Sequence, residues 1–433
     1  MSNSLKMLRI ARVSTLSAAI LAVIGVAPDT VQAQSESALS FAKGQSQRAE
    51  WRDRFDETVA EFDSINSSDP TLSPSTADFI LQGIAKYQSI VAAGGWQNVP
   101  VAKKALRVGG RHPNVVILRQ RLMVSGDLAQ NTGLNDTFDS YVDAAVRRFQ
   151  LRHGLIADGV VSTKTLAMLN VPADVRLRQL ETNLVRVRAM SGFLGDSYVM
   201  VNIPAAEIEA VENGRVRSRH TAVVGKLDRQ TPILSSKIHE LNFNPYWHVP
   251  KSIIRKDLIP KMNEDPEYLA RNKIRIFDWK GNELVKEQIN WSTDEATQFL
   301  FKQDPGAKNS MGSVKINFHN THSVYLHDTP SKTLFGQDYR FHSSGCVRVQ
   351  NVRELITWLL QSTTPDWDRT RVDEVVRTGE RLDVKLKTKV PIYMAYITAW
   401  SNAQGVVHFR DDIYQRDGEV QLEEFAAAPS VVQ

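Results

Sequence analysis

The sequence has one cysteine in 433 residues, and a single thiol cannot close an internal disulfide. A disulfide-built scaffold is thereby excluded. Beyond the first 33 residues no apolar run approaches the roughly 20 residues that a membrane-crossing helix needs. Basic residues give a net charge of +5, but they are dispersed, and no basic run is interleaved with aromatics, so nucleic-acid binding finds no support. Such a charge suits approach to an anionic polymer. There is no H-E-x-x-H and no comparable carboxylate pattern for a metal-dependent hydrolase. What is present is ordinary for globular domains: 42% hydrophobic and 23% charged residues, which argues against disorder or a fibre. The length predicts two or three modules.

The first residues differ from the rest. Lys6, Arg9 and Arg12 precede the apolar run from Val13 to Ala27, and Val31-Gln32-Ala33 supplies small residues at the end. Charge, apolar core and an A-x-A-like site in that order predict a secretory signal peptide over 1–33, cleaved after Ala33. The alternative is a retained anchor, but the run is short and carries Ser14, Thr15, Ser17 and Gly25. Export makes the lone cysteine informative, because exported proteins pair their cysteines or avoid them. A buried, inert Cys is the plain alternative, and its neighbourhood has to decide.

Residues 34–106 read as a helical region, with Trp51, Phe55, Val59 and Phe62 at helical spacing, a break at Ser67-Ser68-Asp69-Pro70, and Phe79, Ile80, Ile84 and Tyr87 resuming the pattern before Gly94-Gly95. These stripes read as packing faces. A module over 107–171 shows three helices: one with Val115, Val116, Leu118, Leu122 and Met123, one with Val142, Val146 and Phe149, and one starting at Ser162 or Thr163 with Leu166 and Leu169. Residues 172–197 predict a linking helix carrying Leu177, Leu180, Leu184 and Val187. From Tyr198 the pattern becomes β, and Asn213-Gly214 between apolar runs predicts a hairpin. This mainly β domain spans 198–415, is interrupted by mixed sequence over about 251–306, and leaves a tail at 416–433. An insertion of that length in a compact domain is a candidate lid.

The chemistry-bearing stretch runs from Asn317 to Asn351. Val324 to His327 reads as a strand of period two, which points Tyr325 and His327 to one face, and Asp328-Thr329-Pro330 ends it. Asn351 with Glu354 predicts a reciprocal capping pair for the helix that follows. A thiol nucleophile needs a base or cation beside it, backbone N–H groups where oxyanion charge develops, and close backbone approach, which glycine permits. Gly345 precedes Cys346, the amides of 344–346 are candidate donors, and His327 lies 19 residues upstream. No enzyme class follows from that spacing alone.

The stretch nevertheless resembles the YkuD-type L,D-transpeptidase signature, in which a histidine is followed by [Ser/Thr]-His-Gly-Cys, an apolar residue and Asn. His327, Ser343, Gly345, Cys346 and Val347 fall on matching positions. Ser344 replaces the second histidine and Arg348 replaces the asparagine. With Asn244-Pro245-Tyr246-Trp247 and the segment from Ile392 to Tyr414, the pattern is similar to the large Gram-negative branch of the family. The order Phe149-Gln150, Gly154-Leu155, Asp158-Gly159, Thr165, Leu169-Asn170 similarly resembles a three-helix peptidoglycan-binding domain, with a merely structural bundle as the alternative. The resemblance implies an α+β multidomain fold: a helical N-terminal region, the three-helix peptidoglycan-binding domain, then a mainly β L,D-transpeptidase catalytic domain with an inserted capping subdomain.

It further implies that Cys346 forms a thioester with the third residue of a tetrapeptide stem, expelling the terminal D-alanine, and passes the acyl group to an acceptor amine to give 3–3 cross-links. His327 is the expected base and Gly345 belongs to the expected oxyanion turn. Tyr325, Ser344 and Arg348 are candidate substrate-binding residues, the guanidinium of Arg348 suiting a carboxylate. Neither cofactor nor metal is required. Stem peptides and glycan strands are the expected partners, with other cell-wall synthesis proteins admitted, and the expected location is the periplasm, associated with the wall. The acceptor stays open among an amine of a second stem, a lipoprotein and water. His342, adjacent to the motif but one position early, is the alternative base. Two rival readings are a metal-dependent peptidase using His319, His322 and His327, and a wall-binding scaffold with an inactive catalytic domain.

Overall fold

The computed structural model describes residues 65–192, 194–364 and 366–418. The expected signal peptide, the stripe from Trp51 to Phe62 and residues 419–433 of the expected tail lie outside them. Helix α1 (Thr76–Ala92) buries Ile80, Ile84 and Tyr87. It stops where Gly94 and Gly95 take φ of +94° and +74°, a conformation that favours glycine.

Three helices follow, α2 (Asn114–Ser125), α3 (Ser140–Arg152) and α4 (Thr163–Leu169). They close on Val115, Leu118, Leu122, Val142, Val146, Phe149 and Leu169. The Asp139 carboxylate caps α3 by accepting from the Val142 N–H at 3.1 Å, and the Ser162 hydroxyl caps α4 through the Thr165 N–H at 3.3 Å. Gln150 explains the Asp-Gly turn: its amide donates to Asp158 and to the Val160 carbonyl and accepts from the Gly159 N–H at 2.9 Å. One buried side chain thus ties helix to turn.

Helix α5 (Ala173–Ser191) packs on α1 and leads into the β domain. The strands there are β1 (Ser197–Asn202), β2 (Glu207–Glu212), β3 (Arg215–Gly225), β4 (Leu234–Phe243), β9 (Val314–Phe318), β10 (Leu326–His327), β11 (Phe341–Ser343), β12 (Val347–Val349) and β13 (Leu382–Ala395). They form one sheet of order β11-β3-β12-β10-β9-β4-β13-β1-β2, and β2 also pairs with β3. The sheet therefore closes on itself, which leaves few exposed edges. The β2–β3 hairpin turns at Asn213 and Gly214, both with positive φ, as its sequence predicts. Helix α6 (Val352–Thr363) covers the barrel with Leu355, Ile356, Leu359 and Leu360, all fully buried. Each such side chain is worth roughly 1.5–3 kcal/mol. Helix α7 (Arg369–Thr378) adds Val372 to the same core.

Between β4 and β9 sits the insertion, with its own small sheet of β5 (Trp247–His248), β6 (Ile274–Phe277), β7 (Glu283–Leu284) and β8 (Leu300–Gln303), in the order β5-β8-β6-β7. A wide π-helical turn, Ile254–Leu258, places Ile254 and Leu258 in a separate core with Met262, Ile276 and Phe301. A last hairpin, β14 (Ala399–Ser401) and β15 (Val407–Phe409), joins α1 and α5. Against it lies a buried ion pair, Arg152 with Asp127 at 2.6 Å, from which Arg152 also donates to the Val407 carbonyl at 3.1 Å. Arg416 and Asp417, expected as tail, are half-buried: the Asp417 carboxylate accepts from Arg186 at 2.7 Å and from the Thr398 hydroxyl. No helix among the described residues is long and apolar enough to cross a membrane.

Two local expectations need correction. The predicted strand from Val324 is laddered only at Leu326 and His327. Val324 instead closes a loop in which its N–H donates to Asn320 Oδ1 at 3.0 Å and its carbonyl accepts from Asn320 Nδ2 at 2.8 Å, with Ser323 at φ +56°. Asn351 precedes α6 but its side chain caps nothing. Its φ of +51° is left-handed, whereas a capping side chain needs an extended backbone to swing over the first turn. The Glu354 N–H bonds the Asn351 carbonyl instead, at 2.9 Å.

Candidate active site

Strand pairing assembles the site. β10 and β12 run parallel, with Leu326 opposite Val347 and His327 opposite Arg348, and the Val347 N–H donates to the Tyr325 carbonyl at 3.1 Å. With side chains alternating along each strand, Tyr325 and His327 share a face with Cys346 and Arg348. The Tyr325 and His327 rings lie 5.7 Å apart, edge to face. On the other side of β10, antiparallel β9 sets Lys315 opposite His327, and the Lys315 ammonium sits 4.4 Å from the centre of the Tyr325 ring.

The thiol of Cys346 is half-buried. Burial pushes its pKa up, while the backbone N–H and hydroxyl of Tyr325 and the charges of Lys315 and Arg348 favour the thiolate. Burial also lowers the pKa of Lys315 and that of Arg348. His327 is buried, and its pKa falls to about 3, first because of burial and then because Arg348 repels a second cation. Its ring is neutral at physiological pH. Nδ1 lies 2.5 Å from the Asp328 carbonyl oxygen, which can only accept, so Nδ1 carries the proton and Nε2 holds a lone pair.

Asp328 is fixed in turn. Its carboxylate accepts from the Ser313 N–H at 2.9 Å and hydroxyl at 2.8 Å and pairs with Lys332. Those bonds hold its pKa below the usual carboxylate value against the opposing effect of burial. Gly312, at φ +58°, lies so close that a Cβ there would meet the carboxylate at 2.5 Å.

The turn before Cys346 is held from several sides. Gly345 takes φ +111°, which favours glycine. Its N–H donates to Ser343 Oγ at 3.1 Å, the Ser343 hydroxyl donates to the Cys346 carbonyl at 2.5 Å, and Thr231 Oγ1 donates to the Gly345 carbonyl at 2.9 Å. The Gly345 amide is therefore engaged inside the turn. The structure brings Cys346, Gly345, His327, Tyr325 and Arg348 together. Ser344 is exposed and its hydroxyl accepts from Arg229 at 2.8 Å. His342 is exposed and bonded to Gln337 and the Tyr339 carbonyl. His319 stacks on His239 at 4.1 Å and His322 is exposed. Among the described residues no group of three acidic, His or Cys side chains could hold a metal ion. A cleft of about 860 Å³ opens beside Asp328, lined by Asn244, Lys332, Asn351, Arg353 and Arg369 among others, but neither Cys346 nor His327 lines it.

Lys315 and Arg229 carry no local motif. Lys315 becomes visible only once β9 is known to pair with β10.

A thiol flanked by cations and a neutral imidazole with a free lone pair can perform nucleophilic acyl transfer. Residues 196–392 match the L,D-transpeptidase catalytic domain model named YkuD. Residues 196–392 belong to the YkuD family of L,D-transpeptidase catalytic domains. Residues 111–169 match the model described as "Putative peptidoglycan binding domain". A Haemophilus influenzae protein described as "Putative L,D-transpeptidase" is 32% identical over 248 residues, 57% of this chain and 50% of that protein. The chain thus spans half the length of this curated relative. Crystal structures of L,D-transpeptidases from Xylanimonas cellulosilytica and Stackebrandtia nassauensis align at 16% and 12% identity, over 68% and 69% of this chain and 100% and 96% of theirs, each with a TM-score of 0.24. Likenesses that low carry no weight beside the YkuD match and the strand pairing. The YkuD domain thus contains the whole segment from β1 to the Cys346 turn and α6, with the insertion between β4 and β9.

Proposed function

We propose that this chain is a cysteine-dependent peptidoglycan L,D-transpeptidase acting at the cell wall, and that Cys346 carries the acyl group. The observation behind this reading is the parallel β10–β12 pairing, which stands Tyr325, His327, Cys346 and Arg348 on one face. His327 Nε2 takes the Cys346 proton as the sulfur attacks the carbonyl of the third residue of a tetrapeptide stem. The tetrahedral oxyanion is held by the N–H groups of Ser344 and Cys346, since the Gly345 N–H is engaged by Ser343 Oγ. Its collapse breaks the amide bond, and His327 returns the proton to the departing D-alanine amine. The resulting thioester is attacked by the side-chain amine of a second stem. His327 takes that amine's proton, the C–S bond breaks, and the thiol is restored as the 3–3 cross-link forms. No redox partner enters. Neutral His327 keeps the Nε2 lone pair free for the thiol proton, and the negative charge that develops on sulfur and substrate raises the proton affinity of the imidazole above that of the resting site, where burial and Arg348 hold it down. Lys315 and Arg348 stabilise the anionic sulfur, and Tyr325 shapes the pocket around it. The three-helix module brings the domain to the glycan strands and stems. The basic, apolar and small-residue order over 1–33 supports an exported, periplasmic enzyme.

The test is muropeptide analysis after incubation of the purified chain with disaccharide-tetrapeptide. The expected products are a 3–3 linked dimer and free D-alanine, both lost in Cys346→Ala. Release of D-alanine with only tripeptide monomer would replace the cross-linking step by hydrolysis. Product formation that survives Cys346→Ala would overturn the reading.

A further inference from the structure

Arg229 lies in the loop between β3 and β4, outside the motif around Cys346. Its guanidinium grips two partners on different bodies. Both terminal nitrogens engage the Asp257 carboxylate, Nη2 to Oδ1 at 3.0 Å, and Nη1 also donates to Ser344 Oγ at 2.8 Å. Asp257 stands on the π-helical turn of the insertion, a rare geometry that recurs at functional sites. Ser344 immediately precedes Gly345 and Cys346. The Arg229 side chain is only 10% exposed, against 42% for Asp257, so this pair is partly shielded from solvent. Planar, two-pronged contact of this kind fixes orientation as well as distance.

The loop carrying Arg229 also underpins the same turn from below. A Cβ on Gly345 would lie 3.5 Å from the Gln230 carbonyl oxygen. Thr231 donates to the Gly345 carbonyl and accepts from the Gly225 N–H at 2.8 Å, and the Tyr414 hydroxyl meets both the Thr231 N–H and the Gly225 carbonyl. The contacts from Ser343 and Thr231 belong to the barrel. The contact from Arg229 has its other end on the insertion.

We propose that Arg229 is a positioning residue that couples the seating of the insertion to the shape of the Ser344–Gly345–Cys346 turn. With Asp257 in place, the guanidinium is aimed at Ser344 and the turn is held in the form that presents Cys346 and its neighbouring N–H groups. When the insertion lifts, Asp257 leaves, the guanidinium loses its orientation, and the turn loses one of its restraints. Acylation competence is thereby tied to closure over the site, which also favours the amine acceptor over water. The proposal rests on the transpeptidase reading for its substrate but not for the coupling itself.

The test uses the full purified chain with two readouts, product formation from disaccharide-tetrapeptide and the alkylation rate of Cys346 by iodoacetamide. Arg229→Ala and Asp257→Ala should each lower kcat for cross-linking on the order of tenfold and raise the ratio of hydrolysed to cross-linked product, with little change in KM. The double variant should be no worse than the poorer single variant. Arg229→Lys, which keeps the charge but not the fork, should recover only part of the loss. A purely structural role would lower the melting temperature without moving the product ratio. If Arg229→Ala does not fold, Asp257→Ala and Ser344→Ala, at a partly exposed and an exposed position respectively, replace it and must show the same non-additivity. If the wild-type chain yields no product, the transpeptidase reading fails separately, and the coupling is read from alkylation, which the alanine variants should shift to the same extent and Arg229→Lys to a smaller one. Independent, multiplicative effects of the Arg229 or Ser344 and Asp257 substitutions, or an unchanged product ratio and alkylation rate, would overturn the proposal.

Discussion

His327 donates a hydrogen bond from Nδ1–H to the carbonyl oxygen of its own neighbour, Asp328, at 2.5 Å, so the residue that orients the imidazole is supplied by the turn that ends its strand. The Asp328 carboxylate does not touch the ring in this arrangement. It anchors the turn to Ser313 and Lys332, and the backbone carbonyl fixes the tautomer.

If that tautomer supplies the base, His327→Gln should retain the fold and lose cross-linking by about 10²–10⁴-fold, the usual contribution of a positioned general base. Dimer formation followed by liquid chromatography checks this. Retention of more than a tenth of the wild-type rate would exclude His327 as the base.

Burial raises the Cys346 pKa from an ordinary thiol value of 9.0, so the free enzyme should hold a thiol at neutral pH. Iodoacetamide alkylation should be slow at pH 7 and increase with pH through and beyond 9. Lys315→Met removes a cation that favours the thiolate and should shift the profile further up. A profile centred below pH 8 in the wild type would contradict this account.

The folded pKa of His327 is depressed to about 3 from an unfolded value near 6.5. Between those values the unfolded chain binds the extra proton, so stability is full above about pH 6.5 and declines as pH falls toward 3. This group contributes a slope of up to about 1.4 kcal/mol per pH unit. Other buried histidines, His153 and His408, are shifted the same way, so the diagnostic quantity is the difference in slope between wild type and His327→Gln in urea titrations at several pH values. Equal slopes would show that His327 is not buried in its neutral form.

Gly312→Ala should destabilise the chain by about 1–3 kcal/mol and slow turnover, because the new methyl would meet the Asp328 carboxylate at 2.5 Å on a backbone of φ +58°. Denaturant unfolding reads the first effect and dimer formation the second. A neutral result would mean that the Asp328 turn shifts freely and does not hold the histidine.

Much of this protein is determined locally and is therefore visible in the sequence. The Asn213-Gly214 hairpin follows from backbone sterics. The helix capped by Ser162 and the Asp158-Gly159 turn follow from hydrogen bonds between near neighbours, and Gly345 before Cys346 advertises a close backbone approach. The motif around Cys346, with His327 upstream, points to the YkuD family before any coordinates are considered. Local pattern misleads where a more distant partner or an unusual backbone takes over: Asn320 claims Val324 from the strand, and a left-handed φ turns the Asn351 side chain away from its helix.

The rest was decided only by tertiary structure. That His327 is neutral depends on burial by the whole barrel and on Arg348 across a parallel strand pair. Lys315 joins the site because antiparallel β9 lies beside β10. Arg229 reaches Ser344 and Asp257 across sequence separations of 115 and 28 residues. Spacing along a chain encodes what neighbours can form, whereas charge, desolvation and the meeting of distant side chains exist only once strands have paired and the core has closed.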